Sequence, residues 1–98
     1  MTTSRPVLPI PDEVSRDADA VELVRIWASG GKQHVTLLAD AWADPAAWGI
    51  MLVDLARHAS RAIAQVRGAD PAVTLNRIRA GFDAEWTHCT DEQADDLQ

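Results

Sequence analysis

Apolar residues follow different spacing rules in different stretches of this 98-residue chain, and those rules predict its elements. The most strongly patterned stretch is 44–68. There Trp48, Met51, Leu52, Leu55, Ala59, Ala62, Ile63 and Val66 recur at steps of three and four, which places them on one helical stripe. Both ends of this helix are specified. Asp44 offers an oxygen to an orphan N–H of the first turn, Pro45 brings a φ already helical, and Gly68 suits the left-handed position past the last turn. Arg67 lies beside the negative end of the helix dipole. The stripe is expected to face the core. Ile50 and Val53 fall on the opposite side, so the first two turns need cover on both sides, whereas farther along that side carries Arg57, Ser60, Arg61 and Ala64.

Residues 21–39 read as a β-hairpin. Two runs, 21–28 and 32–39, are rich in β-branched and aromatic residues, and Gly30-Gly31 supplies the two positive-φ positions of a tight primed turn. With Ser29 opposite Lys32, Trp27 faces His34, Arg25 faces Thr36 and Leu23 faces Leu38. One face is then Val24, Ile26, Ala28, Val35 and Leu37, which suits the helix stripe. The other mixes Leu23, Trp27 and Leu38 with Arg25, His34 and Thr36, too apolar for an ordinary solvent face and too polar for a deep core.

The remaining stretches are read from their punctuation. Pro6, Pro9 and Pro11 among Val7, Leu8 and Ile10 predict an extended arm over residues 1–20, with a short turn at 11–15, Leu8 and Ile10 pinning it to the body and residues 1–5 loose. Ala69-Asp70-Pro71-Ala72 echoes Ala43-Asp44-Pro45-Ala46, so a second helix starts with the same capping device. Its stripe is Leu75, Ile78, Phe82, Trp86 and Cys89, and Gly81 inside it marks a kink or a close contact. Residues 90–98 have no apolar period and read as a disordered acidic tail. The fold class is therefore α+β: an N-terminal arm at 1–20, a small single domain at 21–89 holding the hairpin and both helices, and the tail at 90–98.

The runs Glu-Leu-Val-Arg-Ile-Trp-Ala-Ser-Gly-Gly-Lys-Gln-His-Val at 22–35, Trp-Gly-Ile-Met-Leu-Val-Asp-Leu-Ala-Arg-His at 48–58 and Arg-Ile-Arg-Ala-Gly-Phe-Asp-Ala-Glu-Trp at 77–86 carry a resemblance. Together they resemble a family of uncharacterised bacterial proteins of about this length, chiefly alphaproteobacterial, over roughly residues 9–86. That family is a domain of unknown function. The resemblance supports the fold class and implies no catalytic or binding residues.

Charge narrows the partners. The net charge is −6, and the acidic residues concentrate at the ends, in Asp12, Glu13, Asp17 and Asp19 and again in Asp91, Glu92, Asp95 and Asp96. Such a field repels nucleic acid and anionic lipid, so neither is an expected partner. No apolar run has the length of a membrane span, residues 1–11 lack the continuous apolar core of a signal peptide, and the single Cys89 cannot close an intramolecular disulfide. A cytoplasmic setting is expected.

Candidate chemistry is sparse. His34, His58, His88 and Cys89 lack metal-ligand spacing, so no metal and no cofactor are expected. Asp54 and His58 stand one turn apart without a placed nucleophile and read as a surface pair. Gly30-Gly31-Lys32 lacks the rest of a phosphate-binding loop. Of the four tryptophans, Trp48 and Trp86 fall on the helix stripes and Trp42 adjoins a cap, which leaves Trp27 for a partner. Two functional readings remain. The first is a self-associating interaction domain without catalysis, a dimer above all, using Leu23, Trp27, His34, Leu38, Ile50 and Val53. The second is a small-ligand or anion-binding protein, with enzymatic activity not excluded, using Arg25, Arg57, His58 and Arg61, because guanidinium forks one turn apart can share an anion.

Overall fold

Strands and helices form where the pattern places them. A computed structural model describes residues 7–88 and contains α1 (Asp12–Ser15), β1 (Val24–Ser29), β2 (Lys32–Leu37), α2 (Ala46–Arg67) and α3 (Pro71–Thr87). This is an α+β fold, a two-stranded antiparallel hairpin with two long helices. The expectations for residues 1–5, Cys89 and the tail at 90–98 fall outside the described residues. The chain divides into two compact units between Ala43 and Asp44.

In the first unit the register is the expected one, Trp27 opposite His34, Arg25 opposite Thr36 and Val24 opposite Leu37. Gly30 and Gly31 have φ of 60° and 73°, as a primed two-residue turn requires. The strands are shorter than the runs at 21–28 and 32–39 suggest. One more backbone bond follows the ladder, from Leu38 N–H to Leu23 O at 2.9 Å, and then Ala41 N–H donates to Leu38 O at 3.1 Å and turns the chain away. In the arm, Val14 and Ser15 both donate to Pro11 O at 3.0 Å and form the single turn of α1. Leu8 does not pin the arm, being 89% exposed, and Ile10 is largely exposed as well.

In the second unit both helices start on an aspartate. Asp44 Oδ1 accepts the Ala46 N–H at 2.9 Å and Asp70 Oδ1 accepts the Ala72 N–H at 2.8 Å. Pro45 already has helical angles, and Pro71 opens α3. Gly68 ends α2 in the left-handed region at φ 66°, ψ 35°, and Ala69 N–H closes onto Ala64 O at 2.9 Å.

The packing of α2 on α3 corrects the expected stripe. The buried residues are Ser60 and Ala64, 2% and 3% exposed, which the spacing argument put on the solvent side. At about 100° per residue Ala56, Ser60 and Ala64 share one face, and their small size lets a neighbouring helix approach closely. Of the expected stripe, Trp48, Met51, Ala59 and Ile63 are half-buried, whereas Leu52, Leu55 and Val66 are exposed, Val66 by 85%. The Ser60 hydroxyl is satisfied within its own helix, donating to Arg57 O at 2.8 Å. On α3, Thr74, Leu75 and Ile78 are half-buried, but Phe82 and Trp86 are not buried as expected. A Cβ placed on Gly81 would meet nothing within 4 Å, so within the described chain this glycine serves no close contact.

Candidate functional site

The hairpin brings together the residues of its mixed face. Pairing of Trp27 with His34 and Arg25 with Thr36 sets these side chains beside Leu23 and Leu38 on one side of the sheet. A cavity of about 550 Å³ is lined by Leu23, Arg25, Trp27, Thr36 and Leu38 of this face together with Glu22, Val24 and Leu37. Trp27 is 37% exposed and Leu38 39%, so the face is apolar and wet at once. His34 Nε2 lies 3.3 Å from Ser29 O. Arg25 is held by Glu22 through two parallel contacts of 2.8 Å, Nε to Oε2 and Nη2 to Oε1. That hydrogen bonding, with the carboxylate charge, raises the guanidinium above its ordinary pKa, so Arg25 enters the face as a neutralised cation.

The opposite face carries half-exposed Ile26, Val35 and Leu37. The arm and α1 border β1 across a cavity of about 750 Å³, whose lining includes Leu8, Ile10 and Val14 and, from both faces of the strand, Arg25, Ile26, Trp27 and Ala28. The hairpin therefore shows apolar side chains on both faces. In addition, each strand of the two-stranded sheet has an outer edge without a ladder partner among the described residues.

The second set of candidate residues lies on α2. Arg57, His58 and Arg61 are all exposed. His58 Nδ1 and Arg61 Nη2 are 3.3 Å apart, within reach of a hydrogen bond in the tautomer whose Nδ1 carries no proton. Arg25 belongs to the other unit and is taken up by Glu22. Ile50 and Val53, also on α2, are exposed as their position on the helix suggests. Phe82 and Trp86 were assigned to the core by spacing, yet they stand out as exposed aromatics, stacked with ring centroids 5.6 Å apart and planes at 18°. Among the described residues no three His, Cys, Asp or Glu side chains converge as a metal site would need, and no helix is long and apolar enough to cross a membrane.

The family model described as "Domain of unknown function (DUF5076)" matches residues 7–90. A solved structure from the photosynthetic bacterium Rhodopseudomonas palustrus CGA009, provisionally named a pyruvate dehydrogenase, is 34% identical and similar in fold, with a TM-score of 0.71 and 92% of each chain covered. No curated protein matches the chain.

Proposed function

The chain belongs to the DUF5076 family, a domain of unknown function, and on that premise we propose that it is a self-associating interaction domain of the cytoplasm whose hairpin is covered by a second copy. The observation that carries the reading is the hairpin's mixed face, with Leu23, Trp27 and Leu38 around the neutralised Arg25. A two-stranded hairpin is marginal alone, and among the described residues its outer edges have no ladder partner and Ile26, Trp27, Val35, Leu37 and Leu38 on its two faces stay exposed. A copy related by a twofold axis can lay the same patch against itself or extend the sheet edge to edge. Burying a Trp or Leu side chain is worth roughly 1.5 to 3 kcal/mol, so Leu23, Trp27 and Leu38 of two copies together can sustain a dimer once association costs are offset. The net charge of −6 argues against nucleic acid and anionic membranes as the partner.

Static light scattering tests this reading with the wild-type chain and Trp27→Glu. The wild type is expected to run at twice the chain mass or more at roughly tens of micromolar, with the variant shifted towards the monomer. A monomeric wild type, or a variant with unchanged mass, rejects respectively the assembly or the face.

A further inference from the structure

Resting on the self-association reading, we propose that the helix pair carries a second, separate interface for a copy of this chain, built from Ile50 and Val53 of α2 and Phe82 and Trp86 of α3. The two helices are joined by a tight turn at Gly68 and Ala69, so positions equally far from it lie level with each other. Ser60 is then level with Ile78, where burial is concentrated, and Val53 with Glu85, one residue from Trp86. The four residues therefore share the end of the pair remote from the turn. All four are at least half exposed there, Trp86 by 80%. Phe82 and Trp86 are already stacked on each other, so the aromatic plate needs little ordering before a partner can use it.

Two further observations favour a second copy as the occupant. The first is charge. Between Asp44 and His88 the chain carries five acidic and five basic residues, a net of zero inside a protein of −6, so two copies of this unit meet without like-charge repulsion. The second is area. Exposed to this extent, the four side chains offer roughly 500 to 600 Å² between them. That is most of the ~800 Å² that each partner contributes to a standard interface. A polar rim completes it, including Arg79 and Asp83, paired at 3.0 Å beside the aromatic plate.

The test compares dissociation constants by sedimentation or dilution light scattering for the wild type, Trp27→Glu, Trp86→Glu and Phe82→Gln. Phe82 and Trp86 are both at least half exposed, and Gln and Glu are good helix formers, so neither helix variant should unfold the chain, which circular dichroism verifies. The expected result is a dissociation constant raised about tenfold or more by both Trp86→Glu and Phe82→Gln, with helicity retained. If those two leave assembly unchanged while Trp27→Glu disrupts it, the helix interface is overturned and the hairpin reading stands. If the helix variants disrupt assembly and Trp27→Glu does not, the hairpin reading fails and the helix interface stands. A wild type that stays monomeric overturns both.

Discussion

Ser60 and Ala64, one helical turn apart on α2, are the buried pair of the helical unit, and both are small. Their size sets how closely α3 can approach, so enlarging either one should cost more than trimming a larger residue elsewhere on α2. Ala64→Leu is expected to destabilise by about 1 to 3 kcal/mol through overpacking. Leu55→Ala, at an exposed position on the other side of the helix, should fall well short of the roughly 2 to 5 kcal/mol of a buried leucine. Urea denaturation of the two variants at low protein concentration checks the order, and the reverse order would mean that the large stripe is the packed one.

This pair also shows where reading the sequence succeeds and where it stops. Hairpin register was legible because Gly30-Gly31 fixes the turn and a period of two then assigns every pairing down to Leu23 and Leu38. Both long helices were legible from Asp-Pro caps and Gly68. Which face of α2 meets α3 was not, because α2 has two apolar faces and a spacing argument prefers the one with the larger side chains. Close helix packing instead centres on Ala56, Ser60 and Ala64, with Ala59 and Ile63 of the expected stripe half-buried at its edge. The same limit hid Phe82 and Trp86: a continuous stripe was read as buried throughout, although burial ends near Ile78. Of the candidate site, Trp27 and Leu38 could be assigned to one surface from register alone, whereas the pairing of Arg25 with Glu22 depends on side-chain geometry.

The twin caps give a second prediction. Asp44 and Asp70 each satisfy one orphan N–H, at 2.9 and 2.8 Å. Asp44→Ala and Asp70→Ala should each cost about 1 kcal/mol, within a range of 0.5 to 2. Asn at either position keeps the acceptor and should recover most of the loss. Thermal melts of the four single variants make the comparison, and equal losses for Ala and Asn would show that the oxygen is not what matters.

A third prediction concerns the turn. Because Gly31 has φ of 73°, Gly31→Ala forces a Cβ into the left-handed region at a cost of about 1 to 2 kcal/mol. Asn tolerates that region, and Asn-Gly is a preferred primed turn, so Gly30→Asn should be close to neutral. Hydrogen exchange of the Val24–Ser29 amides isolates the effect to the hairpin. Exchange should speed up about tenfold for Gly31→Ala and little for Gly30→Asn.

The last prediction follows from mass action. If native chains associate and unfolded ones do not, raising the concentration must stabilise the folded form, whichever surface is used. For a dimer each tenfold increase in protein adds about 1.4 kcal/mol to the free energy separating it from its two unfolded chains. Spread over the unfolding entropy of two chains of this size, that amounts to a few degrees in Tm per decade. The wild type should therefore melt progressively higher from micromolar to hundreds of micromolar, and the slope should flatten in Trp27→Glu and in Trp86→Glu combined with it. The measurement needs reversible unfolding, confirmed by superposable second scans. A Tm independent of concentration over that range would show a chain that tolerates Ile26, Trp27, Phe82 and Trp86 in water as a monomer, and self-association would then have to be abandoned.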